Sequence, residues 1–177
     1  MKKTILKNTH YAIGLPAFFS PMGCMLKGND HVVGRRVKFD ANCAYDLQDE
    51  DQKDWNKIFG VCFGITGIHK NSLRFGWRYN TETRKIELCT IVYREDFAEP
   101  ERLELSGHDI DLNQWVRLEL SFIVSVACVY YMFKVNDTTV HSGAMPMPEA
   151  LMYFGCGFYF GGNRKAPHKM TLNIEKI

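Results

Sequence analysis

No stretch of this sequence reaches the ~18 uninterrupted apolar residues that a membrane span needs; Lys, Asn, Arg, Glu or Gly breaks each longer candidate. Basic residues never gather beyond adjacent pairs. With 22 Lys and Arg against 20 Asp and Glu, the formal charge is +2, which leaves no nucleic-acid footprint. The six cysteines (Cys24, Cys43, Cys62, Cys89, Cys128, Cys156) include no C-x-x-C pair and no close cysteine–histidine pair, so zinc ribbons and dithiol redox motifs are excluded. Also missing are G-x-G-x-x-G between a strand and a helix, G-x-S-x-G, and any convincing 3.6-residue apolar period. These absences remove nucleotide cofactors, the hydrolase elbow and helical bundles from consideration.

What is present is aromatic and β-forming. The 177 residues hold 12 Phe, 8 Tyr, 3 Trp and 14 Gly, and 46% are hydrophobic, enough for one domain with a substantial core. Apolar and polar residues alternate with period two in HVVGRRVKFDANCAYDL, KIFGVCFGIT, SLRFGWRYN, KIELCTIVYRE, VRLELSFIV, ACVYYMFKVND, TTVHSG, LMYFGCGFYFGG and KMTLNIEKI. Asn136-Asp137 and the stretch 80–83 supply hairpin turns. About ten strands separated by turns predict an all-β antiparallel sandwich, with 1–177 as a single domain. Residues 1–30 are expected to form an opening strand near Lys3 and an irregular loop through Pro16, Pro21 and Gly23. Only the polar stretch 47–57 offers a turn or two of helix, and the acidic stretch 95–104, broken by Pro100, reads as a solvated loop.

The cysteines sit inside apolar patterns such as FGVCFGI, VACVYY and FGCGFYF, where they behave as small hydrophobes and imply synthesis in a reducing compartment. MKKTIL followed by AIGLPAFFSPMGC faintly resembles a lipoprotein signal ending at Cys24. Lys7, Asn8 and His10 interrupt it, and Pro21 occupies a position that wants an aliphatic residue. The expectation is a chain made in the cytoplasm without a recognisable export signal, open to incorporation in a virion or surface assembly.

Three strands place large apolar side chains on one side and glycines on the other. Phe59, Val61, Phe63 and Ile65 oppose Gly60, Cys62 and Gly64; Leu73, Phe75, Trp77 and Tyr79 oppose Arg74, Gly76 and Arg78. In the last, Phe154, Cys156, Phe158 and Phe160 oppose Tyr153, Gly155, Gly157 and Tyr159. Repeated glycine within strands signals curvature or close approach of another group. The outer face is therefore expected to be either a glycine-floored groove holding Arg74, Arg78 and Tyr159, or a sheet whose glycines serve curvature alone. The loop GGNRKAPH adds Asn163, Arg164 and His168 as polar groups for its rim, or as turn-forming structure.

The stretches LNQWVRLELSFIVSVACVYYMFKVND and LMYFGCGFYFGGNRKAPHKMTLNIEKI resemble the concanavalin A-like jelly rolls, particularly the laminin G-like and lectin-like branch. That resemblance implies two packed, curved antiparallel sheets whose concave face often holds glycans. The family's hydrolases would carry an acidic cluster such as Glu-x-Asp-x-x-Glu; here Glu87 and Glu119 stand isolated. A lyase would use Tyr, His and Arg, which Tyr79, Arg78, Arg74 and His168 could supply. The carboxylates of DLQDEDQKD lack a calcium-loop pattern, and the six histidines are scattered, so no metal and no cofactor is expected.

The leading functional expectation is a non-enzymatic jelly-roll module for carbohydrate or surface recognition, with Arg74, Arg78, Tyr159, Asn163, Arg164 and His168 as ligand-binding residues and none catalytic. One alternative is a structural subunit of an assembly such as a phage virion, tail or surface appendage, with neighbouring protein subunits or an oligomer as partners. A second is a polysaccharide-cleaving enzyme of the same fold. If the arginines face the groove, alternation sends Trp77 and Tyr79 into the core.

Overall fold

The computed structural model describes residues 2–13, 19–24, 28–64, 69–150 and 152–177. Pro16 and Ile65, named above, lie outside them. Among the described residues, thirteen strands run in chain order as β1 (Lys2–Ile5), β2 (Ala12–Ile13), β3 (Phe19–Cys24), β4 (Asp30–Phe39), β5 (Asn56–Phe63), β6 (Ser72–Asn80), β7 (Lys85–Tyr93), β8 (Glu101–Glu104), β9 (Trp115–Val124), β10 (Cys128–Val135), β11 (Thr138–Pro146), β12 (Met152–Cys156) and β13 (Met170–Lys176). They form two antiparallel sheets, one ordered β11-β10-β9-β4-β13-β1-β2 and the other β3-β12-β5-β6-β7-β8. This is the expected jelly-roll sandwich. The sequence pattern missed β2, β3 and β8: short edge strands carry too few residues to show alternation, and β8 lies within the stretch expected to be a loop. The polar stretch before β5 contains a single 3-10 turn, Glu50–Lys53, capped by the Asp49 side chain.

Turn chemistry fixes the hairpins. Asn136 and Asp137 both take positive φ (47° and 68°), as a two-residue turn between right-twisted strands requires. The Asn80 side chain accepts hydrogen bonds from the backbone N–H of Glu82 and Thr83, closing β6 onto β7 and setting Arg78 opposite Glu87 and Arg74 opposite Ile91. Between the sheets, fully buried Trp77 lies within 5.0 Å of Phe39 and 5.6 Å of Phe158, measured between ring centroids. Such aromatic contacts each add about 0.5–1.5 kcal/mol beyond area burial. The described thiols Cys43, Cys62, Cys89, Cys128 and Cys156 are free, and burial pushes that of Cys43 up to about 12.

One expected alternation is corrected. In β12, Tyr153 packs into the core against Phe122, whereas Cys156 sits opposite Gly60 on the outer face. Period two then breaks at Gly157, where the chain leaves the strand, so Phe158 and Phe160 turn inward. β5 breaks at the same level: its register with β6 shifts between Lys57 and Phe59, and both Ile58 and Phe59 are buried in the core. The two irregularities match. Lys57 and Tyr159 exchange reciprocal backbone hydrogen bonds of 2.9 Å just beyond them.

The outer-face glycines are also corrected, from an open floor to a filled one. A Cβ on Gly60 would meet the Leu73 carbonyl at 2.1 Å and the Arg74 side chain at 2.9 Å; on Gly76 it would meet the Cys89 sulfur at 2.5 Å. Neighbouring side chains take the vacated space, and Arg74 and Cys89 are thereby almost completely buried. Gly60→Ala is expected to cost roughly 1–3 kcal/mol through overpacking against backbone that cannot yield. Urea denaturation measures this, and a loss under about 0.5 kcal/mol, the range of an ordinary surface substitution, would refute the close approach.

Candidate functional site

The matched break after β12 and at the start of β5 builds the site. It turns Asn56 inward, where its side chain donates to the Tyr45 hydroxyl at 2.9 Å and accepts from the Gly161 N–H at 2.6 Å. Gly161 has φ of +99°, and a Cβ there would strike the Arg164 carbonyl at 2.0 Å, so glycine is required. With the chain anchored at 161, Tyr159 projects outward beside Lys57, whose ammonium lies 5.4 Å from its ring centroid. The segment from His10 runs alongside: Phe160 and His10 share a backbone hydrogen bond, and the Tyr11 ring meets that of Tyr159 edge-on at 5.1 Å.

A cavity of about 340 Å³ opens here, lined by Tyr11, Lys57, His69, Arg74, Tyr93, Arg102, Tyr159 and the 161–163 turn. Its floor is Arg74, which donates to the Ser72 hydroxyl and places its guanidinium 5.3 Å from the Tyr93 ring centroid. His69 packs edge-on against the other groups through Tyr93, at 5.5 Å. No carboxylate belongs to the described lining. Three cations sharing one partly dry space repel one another, with consequences for proton affinity. Burial, reinforced by Arg74 and Arg102, pulls the Lys57 ammonium down to about 8. Burial together with Arg74 and Lys57 lowers His69, which favours its neutral imidazole. Burial raises Tyr159, aided by Tyr11 and Tyr93 and opposed by Arg74, so its phenol keeps the proton. Among the described residues no group of His, Cys, Asp or Glu is arranged to hold a metal ion.

Of the six residues expected to bind ligand, the structure brings three to this cavity: Arg74, Tyr159 and Asn163. Arg78 faces the same way but is committed elsewhere. It bonds the Glu87 carboxylate at 2.5 Å, Glu104 at 3.4 Å and the Lys53 carbonyl at 3.2 Å, and it stacks on Trp55. Arg164 grips Asp51 at 2.8 Å and Asp49 at 2.7 Å, tying its loop to the 3-10 turn. His168 binds the Asn42 carbonyl at 3.0 Å. Neither lines the cavity. Tyr79 and Trp77 lie in the core, as alternation requires once Arg74 faces outward.

The sequence reading missed Lys57, His69, Tyr93, Arg102 and Tyr11. Tyr93 was reachable: the hairpin at 80–85 sets it opposite Ser72 and therefore next to Arg74. Lys57 precedes the bulge that breaks its strand's period, and Arg102 sits in the missed β8. Nothing local marks Tyr11 or His69.

No family model matches the chain, and no curated protein does. Solved structures do. An alginate lyase from Pseudomonas aeruginosa superposes with a TM-score of 0.52 at 13% identity, over 84% of this chain and 65% of that one. An alginate lyase from Klebsiella pneumoniae gives 0.53 at 11% identity, over 84% and 59%. This chain thus spans less than two thirds of those two enzymes' lengths. A family 7 alginate lyase variant in complex with product gives 0.52 at 8% identity, over 99% and 94%. At such identities the likeness is one of fold, and the fold is the concanavalin A-like jelly roll.

Proposed function

We propose that the chain cleaves an acidic polysaccharide by β-elimination at the Lys57–Arg74–Tyr159 cavity. One observation carries this reading: Lys57, Arg74 and Arg102 surround a cavity with His69, Tyr93 and Tyr159, and its described lining offers no carboxylate. A glycosidase needs a pair of carboxylic groups flanking the bond. Elimination needs a base, an acid and positive charge, which is the set present. Alginate lyases of the same fold support a cleaving enzyme over the non-enzymatic recognition module.

The steps follow from the protonation states. A uronate carboxylate entering the cavity relieves the repulsion among Lys57, Arg74 and Arg102. Those cations then stabilise the charge that spreads onto the carboxylate when its α-proton leaves. Neutral His69 accepts that proton. The released electron pair forms the ring double bond as the bond to the glycosidic oxygen breaks, and the Tyr159 phenol, which holds its proton, protonates that oxygen. Tyr11 and Tyr93 flank the sugar and exclude water.

Tyr159→Phe removes the donor while keeping the ring. It is expected to lower kcat roughly a hundred- to ten-thousand-fold with little change in oligosaccharide affinity. Absorbance of unsaturated ends, followed across a panel of uronate polysaccharides, reads the effect. A wild-type protein that binds these polymers but leaves absorbance flat on all of them returns the site to the recognition module.

The pH profile gives an independent check. Activity should rise as His69 loses its proton, below the ordinary histidine range near 6.5. It should fall again near pH 8 as Lys57 becomes neutral. In Lys57→Arg the charge persists, so the alkaline limb of kcat/KM should move upward. An alkaline limb that stays put excludes Lys57 from the step.

A further inference from the structure

The cationic cavity is one end of a longer depression. A second cavity, of about 390 Å³, shares Lys57, Arg102 and Gly162 with it. A third, of about 160 Å³, shares Trp55 and Glu104 with the second. Together they cross the outer face of the β5–β8 sheet toward the loop that follows β8.

Charge reverses along this run. The first cavity presents Lys57, Arg74 and Arg102. The middle one mixes Lys53, Lys57 and Arg102 with Asp54 and Glu104. The last is lined by Glu87, Glu104 and Asp109 beside Trp55, with no cation in its described lining. Arg78 stands beside that end, its guanidinium 4.2 Å from the Trp55 ring centroid. It bonds Glu87 and Glu104 and so offsets one of three negative charges. Hydrogen bonds keep Glu87 ionised: burial alone would raise it, but Asn80 and Arg78 hold its carboxyl below the usual range.

A uniform polyuronate lying along this run would set carboxylates against Glu87, Glu104 and Asp109, where like charges at contact distance repel. A chain that alternates a uronate with an uncharged sugar has no such conflict. Its carboxylate enters the cationic end. Its neutral neighbour lies against Trp55, with hydroxyl or amide hydrogens donated to the carboxylates. We propose that this groove selects a heteropolysaccharide in which uronic acid alternates with a neutral or N-acetylated sugar. The inference rests on the cationic-cavity reading above and adds the identity of the neighbouring sugar.

Titration calorimetry with two hexasaccharides tests it, one alternating glucuronate with N-acetylglucosamine, the other all glucuronate. The wild type is expected to prefer the alternating chain by about tenfold in Kd. A Glu104→Gln/Asp109→Asn double variant should cut that preference to about threefold or less by gaining affinity for the all-glucuronate chain, a gain that an unfolded variant could not show. Wild-type binding of all-glucuronate as tight as, or tighter than, the alternating chain overturns the inference and leaves the cationic cavity standing. So does an unchanged preference in the double variant. Failure of both oligosaccharides to bind the wild type overturns the inference and the cationic-cavity reading together.

Discussion

The outer site depends on one constraint: two neighbouring backbones lose their alternation at the same level. A single bulge in β5 would turn Lys57 outward but leave its neighbour out of phase, with unpaired backbone groups beneath it. Because the chain leaving β12 slips at Gly157 in step, Lys57 and Tyr159 recover a reciprocal pair of hydrogen bonds. Asn56 secures the arrangement from inside by binding Tyr45 and the backbone at Gly161. Phe158 and Phe160 then continue the core while the tyrosine between them faces out. A buried amide with both ends occupied is stable; with one partner removed it leaves an unmet group, which is why such an anchor tolerates little change.

The second consequence is electrostatic. Lys57 and Arg74 are drawn largely out of water beside one another, and each is held by polar groups of the fold: Lys57 donates to the Trp55 and Gly161 carbonyls, and Arg74 to the Ser72 hydroxyl. Stacking of Lys57 over Tyr159 and Arg74 over Tyr93 adds to this. A different arrangement holds for Arg78, whose neighbours Glu87 and Glu104 neutralise it. Two arginines four residues apart on one strand, both facing outward, therefore have different roles. The difference follows what stands beside them on β7, where Ile91 is opposite Arg74 and Glu87 is opposite Arg78.

How much of this was legible follows the length of the patterns. The strands with four or more alternations, their hairpins and the inward turn of Trp77 were all readable, because burial on one face imposes period two. The placement of Arg74 and Tyr159 was readable for the same reason, although Tyr159 reached the outer face through a phase break rather than through the regular strand that alternation implied. The place of Arg164 and His168 was not legible, because a glycine-rich loop with Asn, Arg and His has the same composition whether it reads a ligand or clips to Asp49, Asp51 and Asn42. Lys57 and Arg102 were hidden by irregularity, one beside a bulge and one on a four-residue edge strand. Tyr11 could not be found locally, since only the closed sandwich lays it against Tyr159.

That last contact has a kinetic meaning. The groups around the cavity come from positions 11, 57, 69, 74, 93, 102 and 159; those from 57 to 102 lie on neighbouring strands, but the set is complete only once residue 159 has been synthesised and has met Tyr11. The seven-stranded sheet closes the same way, with β1 paired to β13. Contacts of such long sequence separation form late and slowly. A chain in which β5 to β8 have paired but β12 has not docked therefore brings Lys57, Arg74 and Arg102 together without the phenol of Tyr159. The cavity is finished from its far side, when the segment holding Tyr11 meets the one holding Tyr159.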